Sequence, residues 1–233
     1  MSEKKFIYER NFALSEDDLI IEHRKIAQWI GEKKTVLEVA CNTGYFSSYL
    51  LRKDCQVTGV ELDSEALHKA KPYLVRDING SIEDESIWKK IETTTYDVVL
   101  FMHILEHLTK PEIVLRRALN WVKDDGFLVI CLPNINNWND RWKIFKGNFN
   151  YTETGVMDKT HLKFYNHQTA QELIKDAGLD IEEYFGGSQK VRFKIVPSVT
   201  IIGRLNILLN KFAYKYFPPN ITDEVMVFKV KKK

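Results

Sequence analysis

Several features that mark specialised protein classes are missing from this chain of 233 residues. Only three cysteines occur, Cys41, Cys55 and Cys131, and an odd, widely spaced set is typical of a reducing compartment rather than of a disulfide framework. No apolar run approaches the roughly 20 residues that span a bilayer. The first residues also lack the apolar stretch of a signal peptide. We therefore expect a cytoplasmic protein.

An excess of charge of one sign is also missing. The 34 Lys and Arg residues nearly balance the 32 Asp and Glu residues, which leaves a net charge of +2. Such a balance argues against a polyanion such as nucleic acid as the general partner. The composition is otherwise ordinary, with 44% hydrophobic and 28% charged residues. A chain of this length and composition can bury a real core as one domain.

What the sequence does contain is a regular alternation of two kinds of segment. Short, wholly apolar stretches at 35–40, 56–61, 96–102 and 127–132 are separated by segments with apolar residues at helical spacing. Strands that are apolar throughout, alternating with amphipathic helices, are what a parallel sheet covered on both faces requires. The sequence therefore predicts an α/β, doubly wound fold with right-handed crossovers.

Helix starts are predicted from residues whose side chains can cap a helix. The predicted starts are Ser15 with Asp18, Ser64, Thr109 with Glu112, and Asn166. Glycines at 31 and 178 are the expected stops of the first and last of these helices.

The turn after the first predicted strand indicates a ligand site. In open α/β sheets, ligands bind at the carboxyl ends of the strands, where the first turn can bring the backbone close to them. Gly44 allows a close approach, and Asn42 is a residue type that tolerates the left-handed region. Glu61 ends the second strand, where a carboxylate can accept hydrogen bonds from both ribose hydroxyls. A functionless tight turn and a solvated carboxylate are the alternatives, and we favour the ribose interpretation.

Several ordered segments together resemble the motifs of class I S-adenosylmethionine-dependent methyltransferases. They are 36–46, 59–63, 80–83, 96–99 with 104–108, and 126–134. The resemblance implies a mostly parallel, seven-stranded, Rossmann-like sheet whose last strand, at 224–230, is antiparallel. Beyond these motifs, 155–165 is similar to a segment of a bacterial subgroup associated with surface-polysaccharide or glycoconjugate synthesis.

The resemblance implies that the cofactor is S-adenosyl-L-methionine. Glu38 would orient the amino end of the methionine moiety or the turn itself, and Glu61 would hold the ribose. Leu62 and Ile82 would enclose the adenine, and Met102 would border the methionine arm. The other residues expected to bind the cofactor are Ala40, Cys41, Asn42, Gly44, Tyr45, Phe46 and Ser81.

Three of these positions depart from the family pattern. Ala40 and Asn42 stand where the usual pattern has glycines, and both changes are sterically mild. Ser81 stands where an acidic residue commonly contacts the adenine amino group. A hydroxyl makes that hydrogen bond without a charge, so adenine affinity would fall by on the order of 1 kcal/mol.

Candidate catalytic residues follow the strand 96–102. His103, Glu106 and His107 would share one face if the turn after that strand were helical, and His161 arrives from the later segment. A hydroxyl acceptor benefits from a base, for which we expect His161 or His107.

The same residues raise the question of a metal. We expect no resident metal, with Glu106 and His107 capping and orienting the helix. The alternative is a His103, Glu106 and His107 set with His161 as a fourth ligand. It resembles the Glu-x-x-Glu-His metal sites of small-RNA 2′-O-methyltransferases and ubiquinone-pathway O-methyltransferases, and it would suit zinc better than magnesium.

Two stretches interrupt the alternation of strands and helices. We expect one methyltransferase domain with its core at about 20–133, 166–186 and 224–230, an acceptor lid at 134–165 and a helical tail insertion at 187–223. The lid is rich in aromatic and cationic residues, which could receive a sugar ring or stack on bases, or simply pack on the core. The tail could pack in the core or in a homodimer, or contact a membrane peripherally.

The sequence alone leaves several functions open. We favour methyl transfer to a hydroxyl or amine of a small molecule or a glycan precursor. The alternatives are an RNA or protein methyltransferase and a non-catalytic module that binds S-adenosylmethionine. A nicotinamide-dependent dehydrogenase is disfavoured because the Gly-x-Gly-x-x-Gly pattern is absent.

Overall fold

The computed structural model describes residues 19–187 and 219–233. The strands are β1 (Thr35–Val39), β2 (Gln56–Glu61), β3 (Arg76–Asn79), β4 (Tyr96–Met102), β5 (Val122–Pro133), β6 (Leu179–Gly187) and β7 (Val225–Lys232). The helices are α1 (Ile21–Ile30), α2 (Tyr45–Leu51), α3 (Ser64–Ala70), α4 (Glu85–Ile91), α5 (Pro111–Ala118), α6 (Trp138–Phe145), α7 (His167–Asp176) and α8 (Pro219–Thr222). Residues Lys71–Tyr73 and Leu105–His107 form short 3-10 turns.

All seven strands form one sheet in the order β3-β2-β1-β4-β5-β7-β6. The pairs from β3 to β5 are parallel, and β7 is antiparallel to both β5 and β6. The predicted α/β, doubly wound sheet with an antiparallel last strand is therefore confirmed. Strand order reverses between β1 and β4, and the crevice at such a switch point is where open α/β sheets bind ligands.

The sheet is covered on both faces, as the apolar strand sequences predicted. Along β4, Val99 and Phe101 belong to one core layer, whereas Val98 and Leu100 belong to the other. Successive strand residues point to opposite faces, so a strand buried on both sides must be apolar at every position. All four of these side chains are fully buried.

Helix α1 begins at Ile21 with no side-chain cap, and the predicted capping residues Ser15 and Asp18 lie outside the described residues. The predicted start of α3 is wrong. Helix α3 is capped by Asp63 rather than by Ser64. The Asp63 carboxylate accepts hydrogen bonds from the backbone N–H groups of residues 65 and 66, which places Ser64 inside the first turn.

The predicted capping box of α5 does not form either. Lys110, without a side-chain cap, precedes the helix. The Thr109 hydroxyl instead donates to Glu83 at 2.6 Å, and Glu112 pairs with Lys163 at 3.4 Å. Both side chains therefore bind distant residues instead of capping the helix. A local sequence pattern cannot reveal that these distant partners compete with the cap. The predicted cap at Asn166 is confirmed.

No helix within 19–187 or 219–233 is long and apolar enough to cross a membrane. Most of the predicted helical tail, at 188–218, lies outside the described residues, and its packing, dimer and membrane roles stay predictions.

Candidate active site

The turn between β1 and α2 has an unusual backbone. Ala40, Asn42 and Gly44 have φ angles of 60°, 49° and 81°. The left-handed region predicted to be tolerated at Asn42 is therefore occupied. The same conformation at Ala40 explains why the family pattern favours glycine at this position.

Gly44 is required for packing between helices rather than for open space beside the cavity. A Cβ atom on Gly44 would lie 2.9 Å from Ala70 Cα and 3.1 Å from Tyr73 Cδ2. The glycine therefore lets the start of α2 lie against the end of α3. The predicted left-handed conformation of Gly44 is confirmed, whereas its contact with the cofactor stays a prediction.

Glu61 connects the ends of β1 and β2. Its Oε2 atom accepts a hydrogen bond from the Asn42 backbone N–H at 2.9 Å, and its Oε1 atom accepts one from the Asp63 backbone N–H at 3.0 Å. A carboxylate has about four acceptor positions, so two bonds leave capacity for the hydroxyls of a diol. Glu61 can therefore hold the turn and a ligand at the same time.

Glu38 is the most perturbed acid of this region. It is buried, and the Ser47 hydroxyl donates a very short hydrogen bond to it. Burial raises the pKa of Glu38 to about 7. The Ser47 hydrogen bond acts in the opposite direction and lowers this pKa, whereas the nearby negative charge of Glu61 raises it. A cationic group that arrived beside Glu38 would stabilise its ionised form.

A cavity of about 1610 Å³ opens at the carboxyl ends of β1, β2 and β4. The structure brings most of the predicted site residues to its wall: Glu38, Ala40, Cys41, Asn42, Tyr45, Phe46, Glu61, Met102, His103, Glu106, His107 and His161. Drug-sized ligands usually occupy pockets of about 300–1,000 Å³, so this cavity has room for two molecules side by side.

Four predicted cofactor residues do not line this cavity. They are Gly44 and the three residues predicted to lie near the adenine, Leu62, Ser81 and Ile82. Ile82 is buried in the core, Leu62 is 69% exposed, and the Ser81 hydroxyl accepts a hydrogen bond from the Glu83 backbone N–H at 3.2 Å. The enclosure of an adenine ring by Leu62 and Ile82 stays a prediction.

The segment after β4 differs from the helical turn that the sequence interpretation assumed. His103 adopts a φ of 53°, and a 3-10 turn follows at Leu105–His107. The His103 ring lies between Cys131 Sγ, 3.3 Å from Nε2, and Glu106 Oε1, 3.6 Å from Nδ1. His103 is thus turned towards β5 and does not share one helical face with His107.

Glu106 is the most unusual side chain of the site. It is 1% exposed, and within the described part of the chain neither of its carboxylate oxygens has a hydrogen-bond partner. Its Oε1 atom lies 4.0 Å from His161 Nε2. A buried carboxylate without a hydrogen bond carries a large desolvation cost, and each such group in a native structure requires an explanation.

His161 reaches Glu106 because the later segment is attached to the same turn. The Glu106 backbone carbonyl accepts hydrogen bonds from the Leu162 and Lys163 N–H groups at 2.9 and 3.1 Å. His161 Nδ1 lies 3.0 Å from the Val156 carbonyl, to which it can only donate. That bond leaves Nε2 as the unprotonated nitrogen of a neutral ring, and burial lowers the pKa of His161 below its ordinary value of 6.5.

His107 completes a three-residue group. Its Nδ1 atom lies 3.3 Å from the Thr160 carbonyl, and its ring centroid is 4.7 Å from that of His161. One ligand atom from each of Glu106, His107 and His161 can be chosen so that all lie within 4.8 Å of one another. Two imidazoles held by backbone carbonyls and one carboxylate without hydrogen bonds form a donor set that fits a divalent cation. His103 is not part of this set.

The sequence interpretation placed no residue of α1 in the site, yet Glu22 and His23 of α1 line the cavity. His23 also faces the core, with its ring centroid 5.0 Å from that of Phe46. A histidine on an otherwise apolar helix face was the available signal, but it does not distinguish a core histidine from a cavity histidine.

Comparison with known proteins agrees with this geometry. The methyltransferase-domain family matches residues 16–184. The ubiquinone biosynthesis O-methyltransferase of Nitrosospira multiformis is 28% identical over 160 residues, which are 66% of this chain and 66% of that protein. The protein of the same name from Salmonella paratyphi A is 32% identical over 109 residues, or 44% of each chain. The chain thus spans less than two thirds of the length of these relatives.

Solved structures share the fold at low sequence identity. A SAM-dependent methyltransferase from Archaeoglobus fulgidus has a TM-score of 0.63 at 15% identity, covering 94% of this chain and 95% of its own. The cyclase SpnF has a TM-score of 0.54 at 15% identity, and the match covers 91% of this chain and 80% of SpnF. One fold supports different reactions, so the reaction must be argued from the site.

The family match covers both the turn between β1 and α2 and the group around Glu106, and the sheet order agrees with it. The predicted class of enzyme and its cofactor are therefore confirmed, whereas the glycan-synthesis subgroup is not. This chain belongs to the methyltransferase-domain family of S-adenosylmethionine-dependent enzymes.

Proposed function

We propose that this protein transfers the methyl group of S-adenosylmethionine to a hydroxyl group of a small-molecule acceptor. The observation that carries the proposal is the pair formed by the buried Glu106 carboxylate and His161 Nε2, 4.0 Å apart in the wall of the cavity. A hydroxyl is a poor nucleophile at neutral pH, and it is the acceptor type that gains most from such a pair.

The donor end of the site uses the residues around β1 and β2. The Glu61 carboxylate holds the ribose diol, and Glu38 faces the cationic methionine end. Because the sulfonium is an activated donor, most of the rate acceleration comes from aligning donor and acceptor, a contribution of roughly 7–11 kcal/mol. The left-handed backbone at Ala40 and Asn42 forms the adjoining wall.

The acceptor end uses His161 as a general base. Its Nε2 atom takes the proton of the acceptor hydroxyl while the oxygen forms a bond to the methyl carbon and the carbon–sulfur bond breaks. The imidazolium that results is stabilised by Glu106, the nearest carboxylate. Its Nδ1–H bond to the Val156 carbonyl keeps the ring in the tautomer that this step needs.

A divalent cation is the second candidate for acceptor activation. Glu106, His107 and His161 would hold it, and two histidines with one carboxylate are a known ligand set of catalytic zinc sites. Such an ion, when bound, would lower the pKa of a coordinated hydroxyl. The missing hydrogen bonds of the Glu106 oxygens favour this alternative.

The acceptor class is supported by the relatives. Several are named ubiquinone biosynthesis O-methyltransferases, a name that implies methyl transfer to oxygen on a small molecule. We therefore take a phenolic hydroxyl as the first acceptor to test. A glycan-precursor hydroxyl or an amine, which the sequence also predicted, is a further acceptor for the same assay.

The test is methyl transfer from labelled S-adenosylmethionine to catechol. We expect His161→Gln and Glu106→Gln to lower kcat about 10²- to 10⁴-fold, with S-adenosylhomocysteine binding unchanged by calorimetry. The matched control is His68→Gln, an exposed histidine of α3. Wild-type turnover in His161→Gln would remove this residue from the reaction.

Chelation separates the two ways of activating the acceptor. A base mechanism predicts full activity after treatment with EDTA and dialysis. A metal-assisted mechanism predicts loss of activity, recovery on addition of Zn²⁺, and weaker Zn²⁺ binding in His107→Gln as measured without any acceptor.

A further inference from the structure

The cavity has a second end to which the proposed function assigns no role. Its volume of about 1610 Å³ exceeds what one ligand needs, and its wall continues past His161 to helix α6 and the residues that follow it. Trp138, Trp142, Lys143 and Lys146 lie on this part of the wall. We call these four residues the α6 wall.

The aromatic rings of the α6 wall do not serve the protein core. Asp140 is the buried residue of helix α6, whereas Trp142 is 49% exposed. The rings of Trp138 and Trp142 are nearly parallel, with an interplanar angle of 3° and centroids 6.4 Å apart. Apolar rings held parallel and open to a cavity provide a surface on which a flat ligand can stack.

The acids and lysines of the cavity wall are distributed differently. Acids occur at both ends: Glu22, Glu38, Glu61 and Glu106 lie towards the donor end, and Asp140 and Glu224 lie at or beside α6. The lysines of the wall are Lys143 and Lys146, and both belong to the α6 wall. Lys143 is paired with Asp140 at 2.6 Å.

Lys146 differs from Lys143. Within the described ranges no carboxylate lies within 4.0 Å of its ammonium group, which sits 5.0 Å from the centroid of the Trp142 ring. A cation without an ion pair, beside an exposed aromatic face, is arranged to bind an anionic group on a ring compound.

We propose that the α6 wall is the acceptor subsite and that it takes an aromatic acceptor carrying a carboxylate or phosphate, with the ring on Trp142 and the anion at Lys146. This inference rests on the proposed function and names its substrate class. Both lysines of the cavity wall lie on or next to α6, and in the part of the chain that the structure describes Lys146 has no ion pair, so the charged group lies at the α6 wall and the hydroxyl points to His161. The charge pattern thus also selects which hydroxyl is methylated.

The first test compares acceptors that differ in charge. Calorimetry on the S-adenosylhomocysteine complex measures the affinity for catechol, 3,4-dihydroxybenzoate and 3,4-dihydroxybenzylphosphonate. We expect the anionic compounds to bind about tenfold more tightly than catechol, the gain typical of a charge-assisted bond. Comparing the two anionic compounds shows which anion the subsite prefers. Tighter binding of the benzoate indicates a carboxylate on the acceptor, and tighter binding of the phosphonate indicates a phosphate.

The second test uses paired variants on the same segment. Lys146→Met should reduce the preference for the anionic compounds to about twofold or less, while Lys159→Met should leave it unchanged. Lys159 is a lysine of the same segment that pairs with Glu153 at 2.7 Å and does not line the cavity. Likewise, Trp142→Leu should weaken all three compounds, whereas Tyr151→Leu, at an exposed ring of the same segment outside the cavity wall, should weaken none.

The outcomes separate this inference from the proposed function. Equal affinity of the wild type for neutral and anionic compounds, or a full preference in Lys146→Met, overturns the inference. Neither result affects S-adenosylhomocysteine binding or catechol methylation, on which the proposed function depends. Conversely, anion preference without any methyl transfer supports the subsite while contradicting the transfer reaction.

Discussion

Three non-glycine residues of the cavity wall have positive φ angles. Ala40 and Asn42 follow β1, and His103 follows β4. A left-handed conformation costs an ordinary residue roughly 1–2 kcal/mol, and such strain is concentrated at functional sites. Lys33 and Asp54, which precede β1 and β2, also have positive φ angles but lie outside the cavity wall. At the residue scale, therefore, three of the five such residues in the described part of the chain line the candidate site.

Replacement of Glu61 tests the donor end. In Glu61→Ala we expect the dissociation constant of S-adenosylhomocysteine to rise about 10- to 100-fold, since hydrogen bonds to a charged group contribute roughly 1.5–3 kcal/mol each. Glu65→Ala, at an exposed acid of α3, is the calorimetric control and should bind normally. An unchanged affinity in Glu61→Ala would exclude this carboxylate from the site.

The pH dependence of cofactor binding tests Glu38. Its pKa is raised to about 7, and a cationic ligand nearby lowers it again, so binding releases a proton. Affinity therefore increases with pH, by about tenfold between pH 6 and pH 8. Calorimetry in buffers of different ionisation enthalpy measures the released proton directly. Glu38→Gln should abolish both effects, and a pH-independent affinity in the wild type would contradict the assignment.

At the scale of elements, the contact between α2 and α3 depends on Gly44. Gly44→Ala adds a Cβ atom 2.9 Å from Ala70 Cα to a residue with a φ of 81°. We expect a loss of roughly 2–4 kcal/mol in the free energy of unfolding, from the strained backbone and the overlap together.

Gly155→Ala is the matched control for this loss. Its φ is 88°, but a Cβ atom there would have no neighbour within 4 Å, so only the backbone cost of roughly 1–2 kcal/mol applies. The difference between the two variants, measured by urea unfolding without cofactor, gives the packing contribution. Equal losses would show that Gly44 is not required by the α2–α3 contact.

The elements themselves were predicted to different extents. Apolar periodicity predicted β1, β2 and β4 closely because strand burial follows from side-chain type alone, whereas β7 was predicted from the family resemblance. The starts of α3 and α5 were wrong because several neighbouring residues could cap each helix. Which residue caps the helix depends on distant partners such as Glu83, whose carboxylate accepts a hydrogen bond from the Thr109 hydroxyl.

At the scale of the whole molecule, Asp97 links three strands of the sheet. Its Oδ2 atom accepts hydrogen bonds from the Thr35 backbone N–H and hydroxyl, both at 2.7 Å, and its Oδ1 atom accepts one from Lys123 at 2.8 Å. Burial alone would raise the pKa of Asp97, but these bonds outweigh it and lower the pKa to about 2.

This shift predicts how global stability changes with pH. The folded-state pKa of Asp97 lies below its ordinary value of 3.8, so its contribution of about 2 kcal/mol is present above pH 4 and is lost as the pH falls towards 2. Asp97→Asn should lower the unfolding free energy by about that amount at pH 7 and by little at pH 2. Asp124→Asn, at a fully exposed carboxylate paired with Lys232, should change it at neither pH. A uniform loss across the pH range would contradict the linkage.

The sequence by itself determined the layered fold, the left-handed turn between β1 and α2, and the position of Glu61 at the end of β2, because these depend on short-range periodicity and on residue types at one turn. Only the tertiary structure decided that Glu106 lies buried between His103 and His161, since that contact joins segments more than 50 residues apart. It also decided that Gly44 serves a helix contact and that the α6 wall faces the same cavity as the cofactor turn. Such facts depend on how whole elements pack, and no local pattern of side chains encodes them.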